Sequence, residues 1–200
     1  MDNYELARDR AQAYFLGFDQ QRMICTWNLK NDREKLYVVF LGREYAIHRK
    51  TGMVTEISSG DQAGFEEVLS IFDLLCHPGE HKAVTGAFAP VNSLKGAPKS
   101  GGVQTAFHSS FASAIDKAPE AFSQACLDLG GAPVDMGDIS FRFPVFGELF
   151  VTLKFYHSDE DFPAGLTFLW DENMLQFIHY ETVFYIAGFL AHTIREKMKK

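Results

Sequence analysis

Leu149-Phe150-Val151-Thr152-Leu153-Lys154-Phe155-Tyr156 has the pattern of a β-strand. Leu149, Val151, Leu153 and Phe155 fall on one side of an extended chain, and Phe150, Thr152, Lys154 and Tyr156 fall on the other. That is the period of a half-buried strand. Just upstream, Ile139, Phe141 and Phe143 alternate with Ser140 and Arg142, and residues 166–170 form a third apolar run. Nearer the N-terminus lies a second group of runs: residues 36–41, Tyr45-Ala46-Ile47-His48 and Met53-Val54-Thr55-Glu56-Ile57. Gly42 and Thr51-Gly52 stand where turns are needed. Met23-Ile24-Cys25-Thr26-Trp27 is rich in strand formers and is expected to be a further strand. The connections are too short for parallel crossovers, so the strands are expected to be antiparallel.

Helical spacings surround these runs. Tyr4, Ala7, Ala11, Tyr14 or Phe15, and Phe18 recur every three or four residues, and Gly17 and Asp19 mark where that helix frays. A second helix is expected from near Asp61, with Phe65, Val68, Leu69, Phe72 and Leu75 as its stripe and Pro78-Gly79 as its stop. Residues 81–102 lose periodicity and read as a long loop, a candidate lid. Ser109 or Ser110 is expected to cap a short helix burying Phe111, Ala114 and Ile115. Pro119 opens the next, with Phe122, Ala125, Cys126 and Leu129 inward and Gly130 at its end. Val183, Ala187, Leu190, Ala191 and Ile194 share one face of a last helix. Helix, strands, helices, strands, helix is the order of an α+β protein. The expectation is a single domain over residues 1–200, a largely antiparallel sheet packed with N-terminal, central and C-terminal helices.

Composition narrows the function. Lys+Arg number 19 and Asp+Glu 26, a formal charge of −7. The only basic cluster is Arg195, Lys197, Lys199 and Lys200 at the end, so no stripe is present to neutralise phosphates, and nucleic acid is not an expected partner. The longest apolar stretch, residues 183–191, is about half the ~20 residues a membrane helix needs. The polar, acidic opening Met1-Asp2-Asn3-Tyr4-Glu5 has no signal-peptide character. A soluble, cytoplasmic protein is expected. Cys25, Cys76 and Cys126 are scattered, form no CxxC and are expected to be buried apolar residues in a reducing interior. Nineteen Phe residues point to an aromatic core, some of whose rings could line an apolar cavity.

Few motifs carry chemistry. Gly96-Ala97-Pro98-Lys99-Ser100-Gly101-Gly102-Val103 departs from a phosphate loop, because Gly102 and Val103 stand where Lys and Ser or Thr are required. Lys99, Gly101 and Gly102 are left as a candidate anion site. Cys76-His77-Pro78-Gly79-Glu80-His81 puts His77 and His81 at i, i+4, but Pro78-Gly79 breaks the helix that would align them; both remain metal candidates. His157-Ser158-Asp159-Glu160-Asp161-Phe162-Pro163 is the strongest polar signal. Its neighbouring carboxylates stay solvated, meet a cation or raise one pKa. An EF-hand register fails, with Ala164 in the glycine place and Trp170 in the glutamate place. Asp171 suits a turn cap and Glu181 the first turn of the last helix. No G-x-S-x-G elbow occurs, and Ser109-Ser110 beside His108 is sequence adjacency only.

Gly101-Gly102-x4-Phe107, Leu129-Gly130-Gly131, Gly137-Asp138, Asp159-Glu160-Asp161-Phe162-Pro163-Ala164 and Asp171-x9-Glu181 follow in that order. From about Phe65 to the end, the chain resembles an uncharacterised prokaryotic family catalogued as domain of unknown function 3786. The resemblance implies a cytoplasmic protein near anaerobic redox metabolism. Some relatives carry an iron–sulfur segment; three scattered cysteines cannot supply a Cys₄ cluster here. The family carries no activity to transfer, and no cofactor follows from the sequence.

The leading expectation is a non-catalytic binding module for a small apolar or anionic ligand or a protein partner. Its candidate ligand-binding residues are Lys99, Gly101, Gly102, His157, Asp159, Glu160, Asp161, Asp171 and Glu181. The alternative is a metal-dependent enzyme using His157, Asp159, Glu160 and Asp161, with Asp171 or Glu181 converging on them. A homo-oligomeric structural subunit is a third reading; the oligomeric state is left open.

Overall fold

The computed structural model describes residues 3–77, 83–98 and 105–199. They form an α+β fold whose strands make two antiparallel sheets. The described residues gather into two compact units. One takes those within 1–82 and 176–186, the other those within 83–175 and 187–200.

In the first unit, α1 (Asn3–Leu16) and α2 (Gln20–Trp27) precede a meander of β1 (Lys30–Asn31), β2 (Lys35–Phe40), β3 (Arg43–His48) and β4 (Val54–Glu56), in that order across the sheet. Leu36, Val38 and Phe40 are buried while Val39 between them is exposed, the alternation a one-sided sheet requires. Phe40 pairs with Arg43, so the hairpin closes on Leu41 and Gly42 alone, at φ 47° and 76°. Two successive positive-φ residues match the twist of the flanking strands. The helix α3 (Phe65–Cys76) buries Val68, Phe72 and Leu75, and Phe15 stacks on Phe72 with centroids 4.6 Å apart. It begins four residues later than Asp61 suggests. At its start the Gly64 N–H donates to Glu67 Oε2 at 2.7 Å, while the Tyr45 hydroxyl donates to Glu67 Oε1 at 2.6 Å. Burial, then that bond, pushes the Tyr45 phenol far above its ordinary range, so it stays a donor.

Met23-Ile24-Cys25-Thr26-Trp27 is helix, not strand. Asp19 Oδ1 accepts from the N–H of Gln21 at 2.9 Å and of Arg22 at 3.1 Å. Asn28, at φ 48°, ends the helix with its N–H on the Ile24 carbonyl. Satisfying orphan backbone groups at both ends outweighs the β-propensity of the residues between. The short helix buries only Met23 and leaves Cys25 exposed, so two of the three cysteines, Cys76 and Cys126, are buried.

The second unit holds β5 (Phe88–Pro90), a 3-10 turn (Val91–Ser93), α4 (Thr105–Lys117), α5 (Pro119–Asp128), β6 (Ala132–Pro133), β7 (Ile139–Phe146), β8 (Leu149–Tyr156) and β9 (Gly165–Asp171). The sheet order is β5-β9-β8-β7-β6. The expected loop over residues 81–102 thus contains a strand, with Phe88 paired to Asp171. Its three residues, one of them Pro90, are too few to show a period. Ser109 and Ser110 lie inside α4 rather than capping it. Pro119 opens α5, and Gly130, at φ 80°, follows its end, as expected. Phe122 of α5 meets Phe111, Phe141 and Phe155 at centroid separations of 6.3, 6.0 and 6.4 Å. The helix α6 (Tyr180–Met198) buries Val183, Ile186, Ala187, Leu190, Ala191 and Ile194.

Candidate functional site

The end of β8 delivers His157 and Ser158 beside Asp116, in the last turns of α4. His157 Nδ1 lies 2.8 Å from Asp116 Oδ1. Ser158 donates to Asp116 twice, from its hydroxyl to Oδ2 at 2.6 Å and from its backbone N–H to Oδ1 at 3.3 Å. From the other side, Asp138 Oδ2 accepts the His157 N–H at 2.7 Å, and the imidazole stands edge-on to Phe155, centroids 5.1 Å apart. The Ser158 hydroxyl and then His157 hold the Asp116 carboxyl below the ordinary carboxylate range. The hydroxyl points at the carboxylate and not at the imidazole. The trio has the residue types of a hydrolase triad without its wiring, in which the imidazole must take the hydroxyl proton. It ties α4 to the sheet.

Beyond Ser158 the chain makes a tight acidic turn. Asp159 Oδ1 accepts from the Asp161 N–H at 2.9 Å and the Phe162 N–H at 2.7 Å, and the Asp159 N–H reaches the Phe162 carbonyl at 3.0 Å. Glu160 and Asp161 are exposed. Phe162 is 70% exposed, the highest value among the large apolar side chains of the described residues. Tyr156, at the base of the turn, is 46% exposed, with Lys154 Nζ 4.9 Å from its ring centre.

The structure separates the other expected site residues. Asp171 is buried at the end of β9. Its Oδ2 accepts from the N–H of Thr85 and of Gly86, both at 2.8 Å, and from the Thr85 hydroxyl at 3.1 Å, while Oδ1 accepts from the Asn173 N–H at 2.9 Å. It holds a turn, as its position after a strand suggested. Glu181 is exposed in the first turn of α6 and belongs to the first unit. Lys99, Gly101, Gly102 and His81 lie outside the described residues. Among the described residues, no three His, Cys, Asp or Glu side chains gather in a way that could hold a metal ion.

His77, read from sequence beside His81, is found instead against His179. Their ring centroids are 4.8 Å apart. Asp73, one turn before His77 on α3, places Oδ1 2.6 Å from His179 Nδ1 and accepts the His179 N–H on Oδ2 at 2.7 Å. The Thr182 hydroxyl adds a third bond at 2.5 Å, so one carboxylate caps the start of α6. Asp73, Asp116, Asp138, His179 and Thr182 carry no sequence signal of these roles. Phe162 stands inside the acidic motif, where sequence alone does not distinguish an exposed ring from a buried one.

The family model described as Domain of unknown function (DUF3786) matches residues 20–193. The chain belongs to this family. The match begins well before residue 65, so the family includes α2 and the first meander as well as the aromatic second unit. No curated protein and no solved structure matches the chain. Among the described residues, no helix is long and apolar enough to cross a membrane.

Proposed function

We propose that the protein is a non-catalytic binding module that docks a protein partner through Phe162. The observation that carries this reading is the ring's exposure of 70% on a turn whose backbone is fixed by three internal hydrogen bonds. A rigid, solvent-facing aromatic loses little conformational freedom on binding and fills a pocket well, which is why such residues dominate interface energies. Asp159, Glu160 and Asp161 precede Phe162 in the same turn and put negative charge beside it in a chain of net charge −7. The partner is therefore a protein offering an apolar pocket rimmed by Lys or Arg, and the acidic rim speeds and orients the encounter. The engaged hydrogen bonds of Asp116, His157 and Ser158 support a structural role for this trio, which resembles catalytic machinery in its residue types. The acidic balance and sparse cysteines support a cytoplasmic protein with no nucleic acid partner. A prokaryotic setting near anaerobic redox metabolism rests on the family resemblance alone.

A photo-crosslinking phenylalanine analogue at position 162, expressed in the native cell, tests the proposal. The expected result is one discrete heavier adduct, absent when the analogue replaces the exposed Val39 instead. Equal background from both positions overturns it, and an adduct with a second copy of this chain favours the homo-oligomer reading.

A further inference from the structure

Alternation places Arg142, Thr152 and Lys154 on the face of the second sheet opposite Phe141 and Phe155, the rings that meet Phe122 of α5. Arg142 and Thr152 are directly paired across β7 and β8. The Arg142 Nε–H donates to Thr152 Oγ1 at 3.2 Å, and the guanidinium carbon stands 4.4 Å from the centre of the Phe88 ring, on β5. Thr152 is fully buried, while Arg142 and Phe88 are half-buried. A hydrogen bond on one side and a ring beneath thus fix the orientation of a guanidinium at the edge of solvent. A half-buried cation ordinarily has a counter-charge. Among the described residues, no carboxylate pairs with Arg142. Asp171, opposite Phe88 in register, has both oxygens engaged by Thr85, Gly86 and Asn173. The Nη nitrogens carry four of the five guanidinium N–H donors. They have no protein partner among the described residues.

We propose that Arg142 binds the carboxylate of a small organic acid with an apolar body. The paired Nη nitrogens offer parallel N–H donors in the fork that a carboxylate accepts bidentately. The orientation is set before the acid arrives, so little conformational freedom is lost on binding. One guanidinium also matches a single negative charge. Lys154, two residues along β8 on the same face, holds its Nζ 4.9 Å from the Tyr156 ring centre rather than beside Arg142. A phosphate dianion would lack a second cation of its own. Apolar surface for the acid's body lies on the same face. Leu169 is paired with Thr152 in register, Phe150 precedes Thr152 by two residues, and Phe88 carries the guanidinium itself. Every one of these residues lies within the second unit, and none belongs to the Phe162 turn.

Titration of the isotope-labelled full chain with sodium benzoate, read by nuclear magnetic resonance at the Arg142 and Thr152 amides and the arginine Nε–H signals, tests this. A saturable shift is expected, with a dissociation constant of about 1–10 mM for an acid of this size. Benzamide, the neutral isostere, is expected to give none, and inorganic phosphate to bind more weakly than benzoate. Arg142→Gln should weaken benzoate binding at least about tenfold. Lys154→Gln, on the same face, should weaken it less than about twofold. Phe88→Leu keeps apolar bulk but removes the ring beneath the cation; it should weaken binding by about twofold to fivefold, and it carries the test if the amide spectrum of Arg142→Gln shows misfolding. No saturable shift overturns the proposal. So does benzamide or phosphate binding equal to benzoate, or an affinity unchanged in the folded variants of Arg142 or Phe88. Phe162→Ala is expected to bind benzoate as the parent does, so this result and the docking result fail separately.

Discussion

Gly137 stands where a side chain has no room. Its φ is 56°, and a Cβ there would lie 2.6 Å from the Phe155 carbonyl oxygen, a backbone atom that cannot swing away. Gly137→Ala is expected to lower stability by at least ~1 kcal/mol. The readout is a lower urea midpoint at unchanged slope; an unmoved midpoint would count against the packing described. The neighbouring Asp138 fixes the backbone of His157, and Asp116 fixes its ring. The Asp116 carboxyl is held below its ordinary range, first by the Ser158 hydroxyl and then by His157. A carboxyl that is more acidic folded than unfolded contributes stability above the unfolded value of about 3.9, and loses it as pH falls through the folded value. Asp116→Asn should therefore be less stable than the parent at pH 7, with the gap closing on the acid side. Urea midpoints at both ends of that range check it, and a gap independent of pH would show that the pairing does not act through ionisation.

At the scale of elements, α2 is the sharpest case. Its existence rests on Asp19 and Asn28 rather than on the residues inside it. Asp19→Ala is expected to cost about 1 kcal/mol and to increase amide exchange in α2 while β2 and β3 keep their protection. Uniform exchange across the unit would contradict that assignment. The strand expected over this segment and the helix found there differ for the same reason. Ile24, Thr26 and Trp27 carry β-propensity, while the decisive capping signal lies outside the segment, where Asp19 equally suits the fraying end of α1. Where the deciding physics is local, the sequence was legible: the apolar run of β2, alternation along β7 and β8, the turn at Gly42, Pro119 at the head of α5 and Gly130 past its tail. The candidate site was less legible. Asp116 and His157 are 41 residues apart and Asp73 and His179 are 106 apart. Nothing in a single chain announces such pairings, whereas the acidic turn, built from neighbours, stood out at once.

On the scale of the whole molecule, neither unit is a continuous piece of chain, because residues 176–186 belong with the first and 187–200 with the second. Ending the chain after residue 175 removes α6. The buried Val183, Ile186, Leu190 and Ile194 alone represent ~6–12 kcal/mol of apolar burial. That matches the whole margin of about 5–15 kcal/mol typical of folded proteins. The truncated chain is expected to show no cooperative thermal transition; a sharp melt with native near-ultraviolet dichroism would contradict this.

The intact molecule supports a ring presented on a fixed acidic turn, and affinity for the crosslinked partner tests that account most directly. Binding of the purified partner to the parent protein and to Phe162→Ala should be titrated at low and at physiological salt. The account predicts about 30-fold weaker binding without the ring, the equivalent of a 2 kcal/mol hot spot, and an association that slows in both proteins as salt rises. Equal affinities for the two proteins would contradict it.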